Sequence, residues 1–470
     1  MSEVLEQSNE SWPEVVVSDV SELIRGVTYS KEHATDKPQD GYTPVLRATN
    51  IQESRLVLES DLVFVPDSNV SANQRLRAGD IVVATSSGSK HLVGKSGLVH
   101  ADWRGSFGAF CAAIRPKANI ESRFLAAFLQ SPSYWKQVGK KALGVNINNL
   151  RRGDIESLTL PLPPLEKQHE IVAELEKQFS RLDEAVANLQ SVKANLKRYK
   201  ASVLKVAVEG RLVETEATLA RREGRTYETG EQLLQRILEE RRQGWNGRGS
   251  FKLPIGPETA ELLDVPEGWT WASIDQLAAP GSRSITDGPF GSNLKSAHYV
   301  ETGPRVIRLQ NIKDGEFADA YAHITQEHFE SLRKHEIFAG DLVIASLGES
   351  PPRACIIPAS VGPAIVKADC IRFKPHTALA LGYLNAVLNC QPTRARVKDV
   401  LHGIGRPRLS LGEIRAIALP IPPAAEQVRI VAEVDRHLSI IREVEAEVDA
   451  NLQRAQSLRQ ATLAKAFSNN

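Results

Sequence analysis

The segment that decides the fold is LPLPPLEKQ at residues 160–168, because a related segment, LPIPPAAEQ, occurs at residues 419–427. After each segment comes the tetrapeptide IVAE, at 171–174 and again at 430–433, and apolar residues then recur at helical spacing. A proline pair suits the start of a helix, since proline is tolerated in the first turn and excluded from the interior. The sequence therefore predicts, twice, a globular module that ends in prolines and passes into a long helix.

Two earlier segments repeat in the same order, displaced by about 260 residues. Arg-x-x-Asn-Ile occurs at 47–51 and 308–312, and LRAGDIVVAT at 76–85 resembles IFAGDLVIAS at 337–346. In the second pair a short, β-branched run follows Gly-Asp, which is typical of a buried strand. Two copies are too few for a solenoid, so the repeats predict a duplicated, pseudo-two-fold molecule.

The predicted fold class is mixed α/β, with each module followed by a long α-helix. Val172, Leu175, Phe179 and Leu182 alternate three- and four-residue steps, as in a coiled-coil seam. A helix of that length cannot bury its apolar stripe alone, so we expect the two helices to pair as an antiparallel coiled coil. Pairing with a helix of another subunit is the alternative. The expected divisions are module 1 at 12–164, helix at 165–208, connector at 209–266, module 2 at 267–423 and helix at 424–467.

Composition excludes several classes of protein. The hydrophobic fraction of 42% and charged fraction of 24% are ordinary for a soluble globular chain, and the net charge of +1 gives no sign of nucleic acid. Four cysteines without a CxxC pair argue against a disulfide framework or a zinc site. No apolar run approaches the roughly 20 residues of a membrane span, and residues 1–11 do not resemble a signal peptide. A cytoplasmic protein is expected.

The search for catalytic motifs finds one near match. The segment GSKHLVGKS at 88–96 resembles a phosphate-binding loop, but five residues separate its glycines where the motif needs four. No nucleophile-elbow Gly-x-Ser-x-Gly occurs. The shared acids Asp80 and Asp341 could belong to an active site between the modules, yet they follow glycine and are more typical of turns. A binding protein without its own catalytic centre is the favoured interpretation.

The order of module, proline segment, long helix, connector, module and helix resembles the specificity subunits of type I DNA restriction–modification systems. The resemblance also rests on AGDIV at 78–82 and AGDLV at 339–343, VEGRLV at 208–213, PEGW at 266–269 and DGPFGSNLK at 287–295. It covers nearly the whole chain. The last segment has no equivalent in the first copy, where 27–40 differs, as expected if each module recognises a different half-site.

The resemblance implies a DNA-recognition subunit that is not itself an enzyme. Each module would be a target-recognition domain in the major groove, where the four base pairs are distinguishable. The helices would space two half-sites of one bipartite target in double-stranded DNA. Two methyltransferase subunits would dock and flip the target adenine, and restriction (motor) subunits would complete the complex. S-adenosylmethionine, ATP and Mg²⁺ are expected on these partners, with no cofactor on this chain and no membrane contact.

Candidate DNA contacts are polar or basic residues beside the repeated strands. They are Arg47, Asn50, Ser86, Ser87, Ser89, Lys90 and His91 in copy one, and Asn293, Lys295, Arg308, Gln310, Asn311, Ser346 and Arg353 in copy two. Because Asn50 and Asn311 are shared by modules expected to recognise different sequences, both could instead brace a turn. Candidate phosphate contacts, which could also be ordinary solvated residues, are Lys136, Lys140, Lys141, Arg151, Arg152, Arg394, Arg396, Lys398, Arg406 and Arg408.

One rival function stays open at this point. The near-neutral charge also fits a coiled-coil adaptor or scaffold that binds no nucleic acid. The two functions differ in a measurable way, because affinity for duplex DNA falls steeply with salt.

Overall fold

The computed structural model describes residues 12–467 except 53, 88–91, 142–147, 246, 248, 259–261 and 404. The chain divides into two compact units: unit 1 holds residues up to 191 together with those from 448 onward, and unit 2 holds residues 192–447. Each unit therefore contains one module, the first part of the long helix that follows it and the last part of the other long helix. The predicted mixed α/β class with two modules is confirmed.

The strands of module 1 are β1 (Glu14–Val16), β2 (Ser21–Arg25), β3 (Tyr42–Leu46), β4 (Ile51–Gln52), β5 (Arg55–Leu56), β6 (Val63–Pro66), β7 (Ile81–Ala84), β8 (Ser86–Ser87), β9 (Ser96–Leu98), β10 (Ser106–Phe107), β11 (Cys111–Pro116), β12 (Asn148–Asn149) and β13 (Thr159–Pro161). They form an antiparallel sheet in the order β2-β11-β7-β9 and a second sheet in the order β10-β3-β6, in which β10 and β3 run parallel. Two-stranded ladders join β1 to β13, β4 to β5 and β8 to β12. The helices are α1 (Val17–Val20), α2 (Ser122–Phe128), α3 (Pro132–Lys141) and α4 (Arg152–Glu156).

The strands of module 2 are β14 (Thr270–Ser273), β15 (Ile285–Thr286), β16 (Tyr299–Ile307), β17 (His323–Ile324), β18 (Glu336–Ile337), β19 (Leu342–Ala345), β20 (Arg353–Ile356), β21 (Ala364–Val366), β22 (Cys370–Phe373) and β23 (Ala418–Ile421). They form two four-stranded sheets, ordered β15-β22-β19-β20 and β17-β16-β21-β18, and the ladder β14-β23. Only β16 and β21 pair in parallel among the described strands of this module. Its helices are α8 (Gln326–Ser331), α9 (Leu381–Asn389), α10 (Gln391–Arg396) and α11 (Leu411–Ala416).

The repeated Gly-Asp segments start the central strands, as their β-branched composition predicts. Every residue of β7 and of β19 is buried. The aspartate before each strand is buried too and binds an arginine of the neighbouring strand: Asp80 receives Arg115 through two 2.8 Å hydrogen bonds, and Asp341 receives Arg372 at 2.6 Å. Because each acid is paired inside its own module, neither is free to act as a catalytic group.

The two long helices are α5 (Leu165–Val208) and α12 (Ala424–Ala466). In unit 1 the start of α5 and the end of α12 share the module's core, with Ile171 and Leu463 both buried. In unit 2 the roles exchange, since the end of α5, including Leu204, joins a core with Ile430 at the start of α12. Not all of the predicted stripe is covered: Val192 and Tyr199 are exposed by 38% and 46%.

The glutamine of each proline segment clamps the helix start to its module. Gln168 accepts a hydrogen bond from the backbone N–H of Glu121 at 2.8 Å and donates to the carbonyl of Pro163 at 2.9 Å. Gln427 does the same with Ala380 and Pro422, at 2.9 Å each. Both amides are almost fully buried. The clamp explains why this glutamine recurs in the two segments.

The connector is a folded part of unit 2. It contains α6 (Glu216–Glu223) and α7 (Gly230–Gln243), and Leu233 and Ile237 of α7 are buried in the core of module 2. Glu426 at the start of α12 accepts hydrogen bonds from the indole N–H of Trp269 at 3.0 Å and from the backbone N–H of Glu216 at 2.8 Å. The module, connector and helix start are thereby tied together within this unit.

The cysteines Cys111, Cys355, Cys370 and Cys390 are all buried and form no disulfide. Burial raises the pKa of the Cys111 thiol to about 12, so it stays protonated near neutral pH. In the described part of the chain there is no helix both long and apolar enough to cross a bilayer.

Candidate nucleic-acid interface

The most regular feature of the predicted interface is a turn that occurs in both modules. The Asn50 amide oxygen accepts a hydrogen bond from the backbone N–H of Arg47 at 2.9 Å, and its nitrogen donates to the carbonyls of Val57 and Ser60. Asn311 makes the equivalent bonds, accepting from Arg308 at 2.9 Å and donating to Ala318 and Ala320 at 2.8 Å.

Both asparagines are buried, with 1% exposure for Asn50 and none for Asn311. Each amide already uses its oxygen and its nitrogen within the turn, which is the bracing role that the sequence left as an alternative. We therefore leave Asn50 and Asn311 out of the proposed DNA contacts and treat them as the frame that holds their neighbours.

In module 1 the remaining candidates lie around this frame. Arg47 is partly exposed and forms an ion pair with Asp61. Ser86 and Ser87 form β8, which pairs with β12. Ser89, Lys90 and His91 lie outside the described residues. Sequence reasoning missed Phe110, whose ring is 69% exposed and whose carbonyl accepts a hydrogen bond from the N–H of Ser86 at 3.3 Å.

In module 2 the candidates divide by exposure. Asn293, Lys295 and Gln310 are exposed, whereas Ser346 is buried and donates its hydroxyl to the carbonyl of Asp369. Arg308 packs 5.8 Å from the ring of Tyr299 and donates to the carbonyl of Tyr321 at 2.9 Å. Arg353 lines a cleft described below. The exposed candidates of module 2 thus lie in the braced turn and in the segment that carries Gly-Pro-Phe-Gly.

Phe290 of that Gly-Pro-Phe-Gly segment is a second exposed aromatic side chain, at 46% exposure. The guanidinium of Arg408 lies 5.6 Å from its ring and pairs with Asp369 at 2.7 Å. A Cβ atom at position 288 would lie 2.1 Å from the backbone of Lys367, so only glycine allows the Gly-Pro-Phe-Gly segment to lie this close to Lys367. Register places Asp369 in module 2 where module 1 has Phe110, since both precede the cysteine that pairs with the repeated alanine.

The candidate phosphate contacts of module 1 are largely exposed. Lys136, Lys140 and Lys141 lie on α3, where Lys141 donates to the Ser157 hydroxyl. Arg151 is exposed beside α4, and Arg152 on α4 pairs with Glu156 at 2.6 Å, an exposed i,i+4 pair. Exposed cations with weak partners can exchange them for phosphate at small cost.

The candidate phosphate contacts of module 2 differ in exposure and in their partners. Arg394 forms an ion pair with Asp314 at 2.7 Å. Arg396 lies 5.0 Å from the ring of Trp271 and donates to Thr393, and burial lowers the pKa of its guanidinium. Arg396 is thus used inside the module and is left out of the proposed set. Lys398 and Arg406 are exposed, and Arg408 is half-exposed.

Each unit contains a cleft between its module and a long helix. The cleft of unit 1, cleft 1, has a volume of about 760 Å³ and apolar walls that include Leu56, Val172 and Phe179. The cleft of unit 2, cleft 2, has a volume of about 950 Å³ and is lined by charged and polar residues. They are Lys197, Lys313, Asp314, Gly348, Glu349, Ser350, Arg353, Arg394, Gly405 and Arg406. No group of metal-binding side chains occurs among the described residues.

The fold and the exposed basic residues define a duplicated recognition protein, in which a common buried frame supports two different surfaces. Residues 9–194 and 295–453 match the family described as "Type I restriction modification DNA specificity domain". The chain belongs to this family. The predicted resemblance is thereby confirmed, and DNA specificity agrees with the predicted non-catalytic role.

Individual relatives extend the similarity over almost the whole chain. The EcoKI specificity subunit of Escherichia coli K12 is 29% identical over 463 residues, which cover 97% of this chain and 89% of that protein. The StySPI specificity subunit of Salmonella potsdam is 27% identical with the same coverage. A solved structure from work on "complex assembly and conformational transition of the type I R-M system" has a TM-score of 0.61 at 19% identity and covers 97% of both chains. The last similarity supports the fold.

Proposed function

We propose that this chain selects the DNA sequence for a type I restriction–modification complex, with each module recognising one half of a bipartite target in duplex DNA. The observation that carries the proposal is the contrast around the braced turn. Asn50 and Asn311 hold the same backbone bends, while the exposed residues near them differ between the modules. A common frame with different exposed side chains is suited to the recognition of two different half-sites.

We further propose that α5 and α12 pair as an antiparallel coiled coil that sets the distance between the half-sites. Contacts within each unit support this pairing. In unit 1 the Arg459 guanidinium of α12 binds Asp183 of α5 at 2.7 Å. In unit 2 the hydroxyl of Tyr199 in α5 lies 2.9 Å from the Nδ1 of His437 in α12. Residue numbers rise along one helix as they fall along the other, as antiparallel pairing requires.

The proposed partners are two methyltransferase subunits, with restriction subunits in the full complex. The long helices offer exposed apolar residues, including Ile440 and Leu458 at 45% and 52% exposure, as a docking surface. S-adenosylmethionine, ATP and Mg²⁺ would be bound by those subunits. This chain would select the DNA sequence and would neither cut nor methylate it.

The test is the genomic methylation pattern of a host with and without this gene. We expect an adenine motif in two parts, separated by unspecified base pairs, that disappears when the gene is deleted. Replacing Asn293 and Lys295 by alanine should change one half of the motif and leave the other half intact. Palindromic motifs alone, or a pattern that ignores the deletion, would exclude the proposal and favour the adaptor function.

A further inference from the structure

Cleft 2 is a site built from five separate stretches of unit 2. Lys200 of α5 lies 3.9 Å from Glu316, which places the helix beside the turn that carries Lys313. Arg394 joins this turn to the next segment, because its guanidinium binds Asp314 at 2.7 Å and donates to the carbonyl of Pro352 at 3.2 Å. The cleft walls are therefore held in place by polar contacts of their own.

The charge in cleft 2 is not balanced from within. Five cations and two carboxylates line it, and of the cations Arg394 alone is ion-paired among the described residues, with Asp314. The side chains of Lys197, Lys313, Arg353 and Arg406 form no ion pair in the part of the chain that the structure describes. Like charges in one concave site repel each other, so the site favours a ligand with several negative charges.

One of these cations belongs to the long helix. Lys197 lies in α5, which enters the cleft beside module 2, and its neighbour Arg198 instead donates to Asn195 on the same helix at 2.7 Å. At the position of α12 that matches Lys197 in the repeat, the chain has Gln456. The basic wall is therefore specific to α5 rather than a general property of the paired helices.

We propose that cleft 2 binds the phosphate backbone of duplex DNA, and that α5 takes part directly through Lys197, together with Lys313, Arg353 and Arg406. This inference rests on the proposed function and adds to it, because it makes the helix a DNA-contacting element as well as a spacer. Lysine binds phosphate as a point charge, and arginine binds it through a planar fork. The cations come from elements far apart in the chain, which fits contact with successive phosphates rather than with one base.

The experiment measures the affinity of the full chain for a labelled random-sequence 30-base-pair duplex across a range of salt concentrations, alone and with its methyltransferase partners. Each lost phosphate contact should lower the slope of log K against log salt by about 0.9. We expect Lys197→Gln with Arg406→Gln to lower it by nearly twice that amount. Arg198→Gln, adjacent on the same helix, is the matched control and should leave the slope unchanged.

A second measurement needs no substitution. Acetylation of lysines in the unmodified chain, followed by mass spectrometry, should show Lys197 and Lys313 protected when the duplex is bound and Lys205 equally reactive with and without it. If the unmodified chain binds no duplex in a salt-dependent way, the proposed function and this inference fail together. If it binds but Lys197 stays unprotected and the double variant matches Arg198→Gln, the inference alone is overturned.

Discussion

Cleft 1 and cleft 2 both combine a module with a long helix, yet they use charge in opposite ways. In cleft 1 the arginines are paired with acids of α5: Arg459 with Asp183 at 2.7 Å and Arg123 with Glu176 at 3.1 Å. In cleft 2 four of the five cations have no such partner among the described residues. Cleft 1 therefore has apolar walls and arginines whose charge is neutralised internally. Cleft 2 carries an excess of positive charge, which favours the binding of an anion.

The difference shows which parts of the repeated module differ between the two copies. The buried aspartate–arginine pair, the buried asparagine and the buried glutamine occur in both modules and make the same kinds of hydrogen bond. Exposed side chains around them do not. The buried residues that hold the backbone are therefore shared by the two modules, whereas the residues that face solvent differ. Substitutions can test both properties.

The largest expected effect tests the preserved interior. Asp341→Asn leaves the guanidinium of Arg372, which is 9% exposed, buried without its counter-ion, and should destabilise unit 2 by about 3–5 kcal/mol. Asp80→Asn should cost less, because Arg115 keeps a 2.7 Å bond to the Asn73 side chain and a 3.0 Å bond to the carbonyl of Arg75. Urea unfolding followed by circular dichroism measures both. Equal losses would show that these extra bonds contribute nothing.

The next effect separates the frame from the surface. Asn311→Ala removes three hydrogen bonds from a buried turn and should reduce stability by about 1–3 kcal/mol. Its exposed neighbour Gln310 is the matched control, since Gln310→Ala should leave the unfolding midpoint unchanged. In DNA recognition the two substitutions should have the opposite order of effect: Gln310→Ala should alter recognition more than Asn311→Ala does. An Asn311→Ala variant of full stability that has lost recognition of one half-site would show that the amide contacts DNA after all.

A smaller effect concerns pH. Burial, opposed by Glu240 at 3.1 Å and aided by Arg236 and Arg241, lowers the pKa of His376 below its ordinary value of 6.5. The unfolded state then binds the proton more readily, so stability is complete above about pH 6.5 and declines as the pH falls below it. Thermal unfolding between pH 8 and pH 5 should show this decline in the unmodified chain. His376→Gln should reduce it, and a pH profile identical in the two proteins would contradict the assignment.

The smallest effect lies in cleft 1. Arg459→Gln breaks a partly exposed pair with Asp183, which should cost less than about 1 kcal/mol. Because this charge is already neutralised, we expect no change in the salt dependence of DNA binding, in contrast to Arg406→Gln in cleft 2. Salt titrations of the two single variants side by side make the comparison, and a matching decrease in slope for both would remove the distinction between the clefts.

The sequence predicted the repeated framework well because its signals are local. Proline pairs, heptad spacing and Gly-Asp before a β-branched run act over a few residues, and the observed helices begin at Leu165 and Ala424 beside them. Repetition of Asn50 in otherwise different surroundings even suggested its bracing role. The connector's attachment to module 2 depends on distant partners such as Glu426, which no local pattern in residues 209–266 indicates.

The interface was harder to predict because it is assembled from distant parts of the chain. Lys197, Lys313 and Arg406 are about 100 residues apart in sequence, and nothing near any of them marks a shared cleft. Phe110 resembles a core residue until the structure shows it exposed. Arg396 resembles a surface cation until its contact with Trp271 is seen. Side-chain exposure follows from tertiary packing, which no short pattern records.

The buried glutamines have a consequence for how such a protein can change over generations. Gln168 and Gln427 fix the start of each long helix through backbone groups alone: Gln168 binds Glu121, Pro163 and Asn119, and Gln427 binds Ala380 and Pro422. Because these partners are backbone groups, mutations that change only exposed side chains leave the helix attachment in place. A lineage can therefore acquire a new target preference by ordinary surface mutation while each long helix stays attached to its module, so inheritance of the architecture is separated from inheritance of the target.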